Sequence, residues 1–257
     1  MKKIVLILFV AGLTLSSCAT FNKEALIQGG LQAAQAATVT DSEIRAYVSQ
    51  YIAQLDATNT VLPENNTYTK RLRKITSGIN SIGGVPLNFK VYKTSEVNAF
   101  ACADGSVRVY TGLMDLMTDD EILGVIGHEI GHVAKNHTRK QLQNAILTSA
   151  ARTGLSAAGG TIAALSQSEL GAIGEAALNA KYSRSQETEA DDYAYTYLKS
   201  TGKSPVALMK GLQKLQSLEG GNSSSSSLVS NLFSSHPDTQ SRVNRVAKKL
   251  RADGLIQ

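Results

Sequence analysis

Residues 118–134 read Thr-Asp-Asp-Glu-Ile-Leu-Gly-Val-Ile-Gly-His-Glu-Ile-Gly-His-Val-Ala. Thr118 followed by Glu121 has the form of a capping box, in which the Thr side chain accepts from the third helical N–H and the Glu reaches back to the cap. Asp119, Asp120 and Glu121 put acid in the first turn, where it complements the helix dipole. A helix is therefore expected to open here and to run through Ile122, Val125, Ile126 and Ile130. His128 and His132 lie four residues apart and so share one face of it. Two imidazoles so placed can bind one zinc ion, and Glu129 sits where it can deprotonate a zinc-activated water. A chance HExxH on a surface helix is the competing reading. Against it, this helix is otherwise apolar, and burying two His and a Glu is costly unless they have partners.

A catalytic zinc needs three protein ligands and an open position. The metzincin pattern HExxHxxGxxH would require Gly at 135 and His at 138. The chain has Lys135 and Thr138, which excludes that class. His137, five residues after His132, reads as a polar residue on another face near the helix end, where positive charge suits the dipole. The better candidate is Glu187, in the run Glu187-Thr188-Glu189-Ala190-Asp191. Glu187 can bind the metal while Asp191, one turn along, accepts the second ring N–H of a ligand His and fixes its tautomer. Glu189, two residues from Glu187, should face elsewhere. The alternative is a solvated acidic helix start.

Upstream of this helix, Leu87 to Tyr92, Val97 to Ala101 and Val107 to Tyr110 have strand character, with Asp104-Gly105 as a turn. They predict a small sheet of about three strands, antiparallel or mixed, beside the HExxH helix. Before the sheet, Ile44, Tyr47, Val48, Tyr51, Ile52 and Leu55 recur at helical spacing. A second helix is expected from Glu64 to Ile82, stopped by Gly83-Gly84. Downstream, residues 139–180 are rich in Ala, Gly and Ser. They predict one or two helices packed closely at Gly154, Gly159-Gly160 and Gly171. Further helices are expected from Glu187 to Leu198, after Ser204-Pro205, and from Thr239 to Leu250. The five-Ser run Ser223 to Ser227 reads as a loop. The fold class is α+β, mostly helical.

Hydrophobic residues make up 42% and charged residues 18%, which argues against wholesale disorder. The chain has no Trp and few aromatics, and its basic residues are scattered, so nothing suggests a nucleic-acid surface. The net charge of +5 includes Lys2 and Lys3. These open a leader whose apolar stretch, Ile4 to Leu15, is too short to span a bilayer comfortably. It ends in Leu15-Ser16-Ser17-Cys18, which resembles a bacterial lipobox; an ordinary secretory signal is the alternative. Residues 1–17 are thus expected to be a lipoprotein signal peptide, 18–40 a lipidated tether and 41–257 the folded domain. Two or more acyl chains on Cys18 would give a stable membrane anchor. Cys102 then lacks an intrachain partner. By resemblance to enterobacterial lipoproteins, Ala19 after the Cys favours the outer membrane, facing the periplasm.

HExxH followed by ExxAD resembles the M48 family of gluzincin peptidases. Asn98-Ala99-Phe100, Thr111-Gly112-Leu113, His236-Pro237 and Arg242 match the same family, over about residues 41–250. The likeness is to the small periplasmic lipoprotein branch: long membrane helices and tetratricopeptide repeats are both missing. It implies a zincin-type fold, one zinc per chain, and an endopeptidase acting on unfolded or misassembled envelope proteins. A non-catalytic, chaperone-like zinc lipoprotein is the alternative, although such a binder has no need of Glu129. Asn98-Ala99-Phe100 is expected either to pair with substrate as an added edge strand or simply to fill the core. The resemblance also sets His236 near the metal. There it could gate the open position, stabilise an oxyanion with help from Arg242, or be an ordinary loop residue before Pro237.

Overall fold

The computed structural model describes residues 39–153, 166–219 and 228–257. The leader, Cys18, most of the expected tether, Gly154, Gly159-Gly160 and Ser223–Ser227 lie outside them. Helix α1 spans Asp41–Thr58, opened by a capping box between Thr40 and Glu43, and buries Ile44, Tyr47, Val48, Tyr51 and Ile52. Helix α2 covers only Thr67–Ile75. The expectation that it continues to Ile82 is wrong. Ser81–Ile82 (β1) pairs antiparallel with Val85–Pro86 (β2), and Gly83 and Gly84 both have positive φ, 56° and 81°. Two adjacent left-handed residues make a tight hairpin turn, so this glycine pair turns a ribbon rather than stopping a helix.

Three further strands form the main sheet: β3 (Asn88–Tyr92), β4 (Ala99–Ala101) and β5 (Ser106–Tyr110). Their order is β3-β5-β4, with β5 parallel to β3 and antiparallel to β4. The sheet is therefore mixed, and β4 is an edge. Gly105, at φ 88°, makes the turn between β4 and β5.

A short helix α3 (Thr111–Leu116) leads to α4, Asp119–Ala134, which opens with the Thr118/Glu121 capping box. Every residue of α4 from Glu121 to Val133 is buried. An amphipathic surface helix would expose one side; α4 instead runs through the middle of the molecule. Val91, Val107 and Val109 of the sheet share a core with Ile122, Ile126 and Ile130 of α4. After α4 come α5 (His137–Thr153), α6 (Gln167–Leu178), α7 (Arg184–Ser200), α8 (Val206–Glu219), α9 (Ser230–Ser235) and α10 (Thr239–Ala252). A second core joins α1 to α5 and α6; a third joins Leu123 of α4 to α7, α8 and α10. Close packing on α6 occurs at Gly174, where a Cβ would lie 2.5 Å from the Tyr51 ring, rather than at the expected Gly171. The molecule is α+β and mostly helical. No helix of the described residues is long and apolar enough to cross a membrane.

Candidate metal centre and active site

Helix α4 carries His128, Glu129 and His132, all buried. Helix α7 lies directly against it. A Cβ at Gly131 would sit 2.9 Å from the Ala190 carbonyl oxygen and 3.1 Å from the Tyr193 Cβ. Only a glycine lets the two backbones come this close. That approach sets Glu187 and Asp191 of α7 beside the two His. Helix α10 then adds Arg242, and the turn between α9 and α10 adds His236.

The contacts define the tautomer of His128. Its Nδ1 lies 2.9 Å from Asp191 Oδ1. Burial pushes the Asp191 carboxyl up, but Arg242 and His128 outweigh it and hold the group well below the usual range. Asp191 is thus a carboxylate and can only accept, so Nδ1 of His128 donates and Nε2 presents a lone pair. Arg242 clamps the same carboxylate, Nη2 donating to Oδ1 at 2.7 Å and Nε to Oδ2 at 3.0 Å. Its Nη1 also lies 2.6 Å from Glu187 Oε2. Burial raises the Glu187 carboxyl too, yet His236, Arg242 and His128 together drive it far below the usual range. Burial lowers His132. It would also lower His236, but Glu187 and Glu129 reverse the sign and raise it.

The donor set suits a cation. His128 Nε2 lies 3.0 Å from His132 Nε2 and 3.5 Å from Glu187 Oε2. His236 Nδ1 lies 3.3 Å from His128 Nε2 and 3.1 Å from Glu187 Oε1. The ligand atoms of these four residues lie within 4.8 Å of one another. Glu187 Oε2 is buried and, despite its ion pair with Arg242, accepts no aligned hydrogen bond. Converging lone pairs in a water-poor site repel one another unless a proton or cation sits among them. Imidazole nitrogens with one carboxylate oxygen are a zinc set.

Glu129 faces a cleft of about 210 Å³ whose wall includes Asn98, Ala99, Phe100 and His236. Tyr110 N donates to Asn98 O and Cys102 N to Ser106 O, so these residues turn toward β5. By the two-residue period of a strand, Ala99 and Ala101, both buried, turn their main-chain groups away from β5, to the outer edge of the sheet. The Ala99 N–H is already taken, by Asn98 Oδ1 at 2.9 Å. Asn98 stands just before β4 rather than within it.

The family model for peptidase family M48 matches residues 68–250. This chain belongs to peptidase family M48. M48 peptidases are zinc-dependent, and the chain is a metalloendopeptidase. It is similar to metalloprotease LoiP of Escherichia coli, 41% identical over 94% of each chain. Metalloprotease YcaL of the same organism is 44% identical, over 87% of this chain and 86% of that one. The putative beta-barrel assembly-enhancing protease of Vibrio cholerae is 29% identical over 64% of this chain, which spans only 36% of that protein. Among solved structures, S. mikatae Ste24p aligns with TM-score 0.44 and 19% identity, over 88% of this chain and 62% of that one.

In the structure His128, His132, Glu187 and His236 cluster, with Asp191 and Arg242 bonded to them, whereas Thr111 and Gly112 pack against Thr94–Glu96 and Leu113 fills the core. The structure also corrects one reading. His137 does not end the HExxH helix; it opens α5, with its imidazole buried and its Nδ1 3.0 Å from His132 Nδ1. The break is at Asn136, which has φ 58°. An Asn just past a helix end is a recognised left-handed stop, so Asn136 is the local signal that was overlooked. Tyr182 was also missed. Its ring stacks on His132 with centroids 3.7 Å apart. No local pattern marks it, because only the packing of the turn before α7 brings it there.

Proposed function

We propose that His128, His132 and Glu187 hold the zinc, that Glu129 is the general base, and that the substrates are unfolded or misassembled proteins of the cell envelope. The observation that carries this is the position of Glu129: it faces both the cleft beside the β4 edge and the cluster of metal-binding atoms. A zinc ion held there supplies Lewis acidity, polarising a carbonyl and acidifying water. Glu129 takes a proton from the attacking water on a carboxylate oxygen and returns it to the leaving amine. The Ala99 carbonyl and the Ala101 main chain hold an extended substrate, which gives affinity tolerant of sequence. Asp191 keeps His128 in its binding tautomer, and Arg242 orients Asp191 and Glu187.

His236 acts as a gate in this reading. Its Nδ1 is within 3.3 Å of two of the proposed ligands, close enough to complete the donor set and exclude the attacking water. Arg242 is engaged by two carboxylates, which leaves it poorly placed to assist an oxyanion. The envelope assignment rests on the leader, on Cys18 as the lipidated residue, and on the layout 1–17, 18–40 and 41–257. The bacterial relatives support it; one of them is named for β-barrel assembly. An outer-membrane anchor facing the periplasm fits that set.

The test is hydrolysis of a denatured protein mixture. Chelation should abolish cleavage and added zinc should restore it. Glu129→Gln should keep about one zinc per chain while losing at least ~10²-fold in turnover. Full activity of the metal-free protein, or of Glu129→Gln, would overturn the assignment; a zinc-loaded wild type that hydrolyses nothing would favour the chaperone-like alternative.

A further inference from the structure

We infer that His137, itself held by Glu189, is a positioning residue that fixes the tautomer and ring plane of His132. The inference rests on the reading that His128, His132 and Glu187 hold zinc. His132 turns its Nε2 to the other proposed ligands, 3.0 Å from His128 Nε2 and 3.4 Å from Glu187 Oε1. For Nε2 to offer a lone pair to a metal, the proton must be on Nδ1. That Nδ1–H is buried and needs an acceptor. Asp191 serves the corresponding atom of His128, and its two oxygens are engaged by His128 and Arg242. The atom nearest in place for His132 is His137 Nδ1, at 3.0 Å. As the acceptor, His137 carries its own proton on Nε2. Nε2 lies 3.4 Å from Glu189 Oε2, and a carboxylate can take that proton as acceptor. The polarity of the whole chain is thereby set: His132 donates to His137, and His137 donates to Glu189.

The backbone is built for this contact. On a continuous helix, residues five apart point about 140° away from each other. Asn136 breaks the helix in the left-handed conformation and lets His137 return over the ring of His132. Tyr182 closes the opposite constraint by stacking on the imidazole face. His132 is thus held both at its edge and on its face, and His137 is 2% exposed, shielded from competing water. Glu189, by contrast, is about half exposed, and can be replaced without disturbing a core.

The test is zinc affinity of the full chain in detergent, measured by competition with a chromophoric chelator, with thermal unfolding of each metal-free variant as the folding control. His137→Leu, which fills the space but accepts nothing, should weaken zinc binding about 10–100-fold. His137→Asn, whose amide oxygen can accept from His132 Nδ1, should recover most of that loss. A purely structural role would not give this rescue. Glu189→Leu should weaken binding by a smaller factor, about threefold, and serves as the deciding variant if His137→Leu does not fold. Wild-type affinity in folded His137→Leu, or in Glu189→Leu should that variant be the decider, overturns the inference. His132→Ala separates the two levels: if it binds zinc like the wild type, the ligand assignment itself fails. If His132→Ala loses zinc while His137→Leu does not, only the positioning role fails.

Discussion

His236 and Glu129 face each other, with His236 Nε2 3.7 Å from Glu129 Oε1. One imidazole thus touches the general-base candidate on one side and the proposed metal ligands on the other. Its place depends on a tight turn: Pro237 follows it, and Asp238 adopts φ 65°, a conformation in which a non-glycine residue is strained. The turn is tied down elsewhere by Tyr182 N, which donates to Ser235 O at 2.9 Å. A side chain held this firmly in a metal donor set is expected to hold the enzyme back. His236→Ala should therefore raise turnover on an unfolded substrate several-fold, with zinc content retained. A fall of ~10²–10³-fold would instead assign His236 to oxyanion stabilisation. No change would remove both roles.

At the scale of elements, the decisive fact is that α7 touches α4 without an intervening layer of side chains. Gly127 and Gly131 line the contact, against Ala194 and Ala190. Gly131→Ala would press a methyl against the Ala190 carbonyl and force the helices apart. It should cost about 1–3 kcal/mol and weaken zinc binding by moving Glu187; unchanged melting temperature and unchanged zinc affinity together would refute this. Helix α1 is fastened to the sheet in another way. Asp56 accepts from Arg108 Nε and Nη2, Lys90 Nζ and Tyr92 Oη. Arg108 is 2% exposed, so its charge has little recourse to water. Burial pushes Asp56 up, but these donors win and bring its pKa from 3.8 down to about 2. Because the folded value is depressed, the unfolded chain takes up the proton first as pH falls. The stabilisation is complete above the unfolded value and disappears as pH drops through about 2. Asp56→Asn should cost about 3 kcal/mol at neutral pH, since it leaves a buried Arg without its counter-charge. The gap to wild type, followed by thermal unfolding against pH, should narrow between about pH 4 and pH 2. A gap independent of pH would show that the charge is not what holds α1.

At the scale of the whole molecule, two of the three cores take in residues of α4, the helix that carries His128, Glu129 and His132 of the candidate site. No described helix is long and apolar enough to cross a membrane. In the function proposed above, attachment comes from lipid at Cys18. Native protein is expected in the membrane fraction, with acyl chains on that residue. Two chains suffice where one gives only marginal binding. Cys18→Ser should shift the protein to the soluble fraction or block its processing. Identical processing and distribution of this variant would contradict the anchor and the layout of signal, tether and domain with it.

What the sequence determined by itself is local. The capping box at Thr118, the shared face of His128 and His132, and the one-turn spacing of Glu187 and Asp191 all follow from helix geometry, which relates residues only within a turn or two. The three main strands were legible for the same reason, from strand character over four to six residues. Where a short signal had two meanings, the local reading failed. Gly83-Gly84 can stop a helix or turn a hairpin, and the choice depends on whether Ser81–Ile82 finds a partner strand. Lys135-Asn136 can continue a helix or end it, and the choice put His137 on His132 rather than away from it. Tertiary structure alone decided how β3, β5 and β4 pair, how closely α7 approaches α4, and how Tyr182, His236 and Arg242 arrive at the site from distant parts of the chain. Those relations are set by packing and burial, which no periodicity along a single segment encodes.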